Sequence, residues 1–170
     1  PFFIENANFF STDSNLVFTR RIVDPEGGIR LSGRSGDYGF GSILINDAAP
    51  GLGRDADDPL RGEKANIAII RGFRDLGDQD RIGFLATERQ LGDGYNRVLS
   101  FDSRFKFTDN WFTQIQLVGT ESEPTSGDEY TTGYQRNIMI NREGRTYSNH
   151  THFIETTSDF RTELGFMNRF

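Results

Sequence analysis

Few residues of this chain are spaced for chemistry. Arg20-Arg21 could grip an anionic headgroup or a lumen carboxylate such as Glu5, because arginine's planar fork matches carboxylate and phosphate oxygens. The same residues could instead lock the first segment against a sheet. His150 and His152 lie two apart, hence on one face of a strand, as a metal pair would. Glu155 falls on the opposite face, and zinc wants three or four converging ligands, so a solvated pair is expected. Asp55-Ala56-Asp57-Asp58 alternates oxygen ligands as calcium loops do, without the turn glycine and distal Glu of an EF-hand. It reads as a solvated acidic loop. Gly36-Asp37-Tyr38-Gly39-Phe40-Gly41 has phosphate-loop glycines but no following helix and no Lys-Ser/Thr. It reads as a turn running into a strand. With no cysteine there is no thiolate nucleophile, disulfide or Cys-type zinc site. No Ser/His/Asp spacing suggests an acyl-transfer site. The expectation is therefore no catalytic residue, no metal and no cofactor.

The elements that would carry these residues are strands. Leu99, Phe101, Phe105 and Phe107 alternate with Val98, Ser100, Asp102, Arg104 and Lys106. Trp111, Ile115, Leu117 and Gly119 alternate with Phe112, Gln114, Gln116, Val118 and Thr120. The same period of two runs through Ile29, Leu31 and Gly33, through Ile82, Phe84 and Ala86, and through Tyr134, Ile138 and Ile140. Around 64–73, Ala65, Ile67, Ile69 and Phe73 share a face that Arg71 interrupts. Such alternation predicts antiparallel strands with one apolar and one polar face. Leu76-Gly77-Asp78, Gly92-Asp93-Gly94 and Thr108-Asp109-Asn110 supply the turns. The expected fold is an all-β antiparallel up-and-down meander of seven to nine strands with essentially no helix. Residues 1–26 form an irregular leading segment and 27–170 the hairpins.

Composition narrows the class. The chain has 170 residues, one domain by size, and 16 of them are Phe, too aromatic for a disordered segment. Net charge is −6, which argues against generic nucleic-acid binding. No apolar run reaches the ~18 residues of a membrane helix. Strands of about ten residues suit a tilted crossing of a bilayer. Aromatics near strand ends (Tyr38, Phe73, Tyr95, Phe107, Trp111, Tyr130, Tyr147) fall where membrane girdles would lie. A soluble β-sandwich explains the alternation equally well. It would bind carbohydrate through Trp111 and Tyr134; a β-rich hydrolase domain is a third, weaker reading.

One resemblance separates these readings. Pro1-Phe2-Phe3-Ile4-Glu5-Asn6, then Phe10, then Leu16-Val17-Phe18-Thr19-Arg20-Arg21-Ile22 resembles the leading motif of a large Gram-negative outer-membrane β-barrel family of uncharacterised function. Further similar stretches come in order, among them Arg71-Gly72-Phe73-Arg74-Asp75-Leu76-Gly77, Asn96-Arg97-Val98-Leu99-Ser100-Phe101-Asp102 and Phe160-Arg161-Thr162-Glu163-Leu164-Gly165-Phe166. Thr19 and Val23 depart from the family's usual Ser and Gly. Members usually carry an upstream family-9-like carbohydrate-binding domain, which is not in this sequence, and have no established catalytic residues.

The resemblance implies part of a transmembrane barrel in the outer membrane of a Gram-negative bacterium, serving transport or surface interaction rather than catalysis. Its partners would be outer-membrane lipid, other envelope proteins and, through the upstream domain, carbohydrate, with no nucleic acid. About eight or nine strands would leave an unpaired edge at one or both sides. Leu99, Phe101, Phe105, Ile115 and Leu117 would then face lipid, while Asp102, Arg104, Lys106, Gln114 and Gln116 would line the lumen. Glu5, Arg20 and Arg21 would have a structural or headgroup-binding role.

Overall fold

The computed structural model describes residues 7–125 and 129–166. Its framework is eight strands: β1 (Pro25–Ser35), β2 (Tyr38–Asp47), β3 (Ala65–Asp75), β4 (Arg81–Leu91), β5 (Gly94–Lys106), β6 (Trp111–Glu123), β7 (Thr131–Arg142) and β8 (Asn149–Thr156). All join one sheet in chain order, each neighbour antiparallel. The meander expected from the period of two is therefore present. The only helical elements among the described residues are 3-10 turns at Ala7–Phe10, Thr19–Arg21 and Ala49–Gly51. β1 and β8 do not pair with each other, so the sheet is open rather than closed into a barrel.

Turn chemistry fixes the order. Two-residue loops, Gly36-Asp37 and Gly92-Asp93, join β1 to β2 and β4 to β5. Gly36 and Gly92 stand at φ 55° and 58°, a left-handed backbone that suits a tight hairpin and penalises any side chain.

The two faces of the sheet have different fates. The inner face is covered by a strap, residues 9–22, and by a return segment, residues 157–166. Phe10, Leu16, Ile22 and Leu164 from these segments pack with Ile43, Ile45, Ile67, Ile69, Leu85, Val98 and Val118 of the strands. Inward glycines on β2 make room for aromatics: a Cβ on Gly39 would overlap the Phe73 ring, and one on Gly41 would sit 2.8 Å from Phe10. The outer face carries no covering layer among the described residues. Ile29, Phe101 and Leu117 are 71%, 57% and 48% exposed there.

Three sequence expectations are corrected. The hairpins begin at Pro25 and end at Thr156, two residues before and well short of the expected limits; beyond Thr156 the chain leaves the sheet and returns across the inner face. Among the described residues no second sheet packs on the first, so the fold is not a sandwich. Phe73 is no girdle residue: it points inward and is 8% exposed. Its parity with Arg71, and not its place near a strand end, decides the face.

Overpacking of the glycine slots gives a test of the inner face. Gly39→Val should destabilise the fold by roughly 1–3 kcal/mol. Gly33→Ala, where nothing lies within 4 Å, should be close to neutral. Urea midpoints followed by Trp111 fluorescence will separate the two.

Candidate functional site

The inner face is where polar side chains gather, and they are matched to the backbone of the segments that cross it. Gln116 on β6 is fully buried. Its Oε1 accepts the Ser14 backbone N–H at 2.6 Å, and its Nε2 donates to Ser100 Oγ on β5 at 3.0 Å. Gln135 on β7 accepts the Ser14 hydroxyl at 2.5 Å and donates to Thr156 Oγ1 on β8 at 3.1 Å. Asn96 on β5 plays the same part for the return segment. It donates to the Arg161 carbonyl (3.0 Å) and to Ser122 Oγ (2.7 Å), and accepts the Glu163 N–H (3.0 Å). Where the chain enters β1, Asp47 accepts the Asp24 N–H at 2.8 Å and the Val23 N–H at 3.3 Å. An irregular segment has unpaired amides and carbonyls, and it can be buried only when side chains supply the missing partners.

Strap and return segment also bind each other. The Phe18 N–H donates to the Leu164 carbonyl at 2.7 Å and the Phe166 N–H to the Asn15 carbonyl at 2.9 Å. The Phe18 and Phe166 rings lie 5.4 Å apart.

Toward the turns after β1, β3 and β5, the inner face opens into a polar cavity of about 800 Å³. Its wall is built on Arg71, whose side chain is 3% exposed. The guanidinium crosses β4 to reach Asp102 on β5 in a bidentate pair, Nη1 to Oδ1 at 2.5 Å and Nη2 to Oδ2 at 2.7 Å. Gly83 of β4 permits the crossing, since a Cβ there would lie 2.7 Å from Arg71 Nη1. Phe73 beside it carries the Arg81 guanidinium at 4.2 Å and that of Arg34 at 5.3 Å. Both arginines also pair with Asp75. Fixed forks of this kind suit arginine rather than lysine, and only Lys64 and Lys106 of the 19 basic residues are lysines.

The residues expected to line a lumen all share this face. Asp102 is held by Arg71 on the wall of the polar cavity, and Gln116 is sealed beneath the strap. Arg104 is exposed, its guanidinium 5.1 Å from the Phe112 ring. Lys106 sits at the rim, where its backbone N–H donates to Asp80 at 2.7 Å. Gln114 donates to Asp13 Oδ1 at 2.8 Å. Asp13 keeps contact with solvent, yet the protein behind it partly desolvates its carboxylate. That burial, with the nearby Asp102 charge, raises its pKa above the ordinary value of 3.8.

Arg20 and Arg21 are exposed on their 3-10 turn, with no ion pair to a described carboxylate; Arg20 lies 6.0 Å from the Phe18 ring. Glu5 lies outside the described residues. The strap is anchored through Ser14, Val23 and Asp24 instead. His150 and His152 are exposed, on the inward parity of β8, and meet Asn141 at 2.5 Å and Asn137 at 2.7 Å. Among the described residues no group of three or more His, Asp or Glu converges as a metal site would. The acidic loop is structural, since Asp58 accepts the Leu60 N–H and the Arg54 guanidinium, which together hold its pKa below the ordinary value.

Sequence reasoning missed Arg71, Asn96, Gln135 and Asp47. Arg71 had a signal, a lone charge in an otherwise apolar alternation. The other three look like ordinary polar strand residues, and nothing in their spacing separates an anchor from a wetted side chain.

The buried pair and the strap can each be probed. Arg71→Ala removes the buried partner of the half-buried Asp102 and should cost up to about 3 kcal/mol in unfolding free energy; Arg71→Met with Asp102→Leu should recover much of that loss. For Asp13, the raised folded-state pKa means docking of the strap is strongest below pH 3.8 and weakens as pH rises through the raised value. Hydrogen exchange at the Ser14 amide should show this slope, and Asp13→Asn should flatten it.

No protein-family model matches the chain, and no curated protein or solved structure is similar to it.

Proposed function

We propose that this chain forms part of the wall of a bacterial outer-membrane β-barrel, in a non-catalytic role in transport or surface interaction. The observation that carries the reading is the banding of the outer face. Aligned across the strands, Phe40, Gly72, Phe84, Phe101 and Leu117 form one row, which on β7 and β8 ends in the Arg136–Glu155 ion pair. Tyr38, Arg74, Ile82, Ser103, Ile115, Ile138 and Phe153 form a second. Leu31, Ser42, Ile70, Ala86, Leu99 and Gly119 form a third.

Beyond these rows the same face turns polar. Asn46, Asn66, Gln90, Tyr95 and Glu123 align, next to a row holding Glu88, Arg97 and Glu121. Arg97 pairs with Glu88 at 3.0 Å and approaches Glu121 at 4.0 Å, while the Tyr95 hydroxyl donates to Glu121 at 2.8 Å. A charged, aromatic-edged border beside an uncovered apolar belt suits a headgroup boundary beside hydrocarbon. Soluble monomers seldom expose a contiguous apolar patch beyond a few hundred Å². The polar and charged residues inside, satisfied by the strap, suit the interior of such a wall.

A shared aromatic platform for sugar gains no support. Trp111 stands opposite Arg142, and Tyr134 stands opposite Gly119, eight residues further along β6. At ~3.4 Å per residue the two rings sit about 27 Å apart along the sheet.

Trp111 is the only tryptophan, and it lies on the outer face at the start of β6. In lipid vesicles, phospholipids brominated high on the acyl chain should quench it most. Phe101→Trp in a Trp111→Phe background should respond best to deep bromines. Quenching by aqueous iodide alone, for both, would show that the belt never meets lipid.

A further inference from the structure

We propose that the outer face carries a binding site for one anionic phospholipid, with an acyl chain in the groove over Gly72 and the phosphate on Arg74. The inference rests on the membrane reading above and adds a specific ligand to it. A groove of about 680 Å³ runs along Phe40, Phe84, Phe101 and Leu117. Gly72 has no side chain, and the Phe84 ring fills that space and makes the groove floor there: a Cβ at Gly72 would lie 2.5 Å from Phe84 Cε1. Two residues on from Gly72, the exposed Arg74 marks one end of the groove, its guanidinium 5.2 Å from the Tyr38 ring.

Charge decides what such a groove accepts. Of the other outward arginines, Arg97 at the polar border is matched by Glu88, Arg136 beside Leu117 by Glu155, and Arg142 donates to the Tyr147 carbonyl. Arg74 has no described carboxylate paired with it, and it is the one charged side chain among the outward residues lining the groove. The stack on Tyr38 orients the guanidinium and leaves its N–H fork for an oxyanion. One fork matches one phosphodiester, which favours a phospholipid over a lipid bearing two phosphates and many chains. A polar or zwitterionic headgroup would leave the guanidinium's charge less well balanced.

The test is lipid retention by the full chain, inserted in mixed vesicles, extracted in mild detergent and weighed by native mass spectrometry. Phosphatidylglycerol, phosphatidylcholine and lipid A serve as competing probes. Wild-type protein should keep one phosphatidylglycerol about tenfold more than phosphatidylcholine, and Arg74→Gln should erase the preference. Arg74→Lys, which keeps the charge and loses the fork, should retain an intermediate preference. Equal retention of phosphatidylglycerol and phosphatidylcholine, or a preference that survives Arg74→Gln, overturns the site while leaving membrane insertion intact. Preferred retention of lipid A overturns the phospholipid assignment. Failure of wild-type chain to insert in any vesicle overturns the membrane reading itself.

Discussion

The structure depends on a match between polar side chains of the sheet and the backbone of the segments that cross its inner face. Gln116 shows the constraint most clearly. Fully buried, it has one amide end on the strap at Ser14 and the other on the neighbouring strand at Ser100. Removing the strap and the return segment would leave it, Gln135 and Asn96 with unmet hydrogen bonds in a region lined by Ile69, Leu85, Val98 and Val118. A polar group left buried without a partner costs about 1–3 kcal/mol, so the crossing segments can cover these side chains only by supplying the partners that they do. Strap, sheet and return segment therefore make one unit. The inner face is a fitted socket where those segments cover it and an open polar cavity where they do not.

That arrangement explains the odd distribution of apolar residues. In most single-sheet architectures one face is buried and the other is wet. Here β3 is apolar on both: Ala65, Ile67 and Ile69 face inward, while Ile70 lies outward on the belt that holds Phe40 and Phe84. The inner set serves packing. The outer set is covered by nothing among the described residues, and on β4 to β6 it gives way to a border of ion pairs. Two chemically distinct faces, both partly apolar, are what a sheet needs when it holds protein on one side and meets hydrocarbon on the other.

Much of the framework was legible in the sequence, because period two and glycine-aspartate turns leave few alternatives. The parity of the long strands was visible in residues such as Leu99 against Ser100 and Leu117 against Gln116. The destination of each face was not. Gln116 and Asp102 share a parity with Arg104, yet the first is sealed, the second is half-buried on the cavity wall and the third is exposed, because the strap covers only part of the sheet. Nor could alternation reveal that residues after Thr156 leave the hairpins. The stretch has too few strand formers to pair and is held instead by Asn96 and by the strap's own backbone. Which ring or guanidinium fills the space at Gly39, Gly41 and Gly83 depends on register, which alternation alone does not give.

The central claim is that the outer belt contacts lipid, and the absence of cysteine allows a direct measurement. Single cysteines placed in turn from 97 to 105 and from 113 to 119, spin-labelled and reconstituted in bilayers, can be read for collision with oxygen and with a water-soluble nickel chelate. Oxygen accessibility should rise with a period of two, with maxima at Leu99, Phe101, Ile115 and Leu117, and both reagents should give low values at Ser100, Gln116 and Val118. High nickel accessibility at Phe101 and Leu117 would contradict lipid contact, because those side chains would then lie in water.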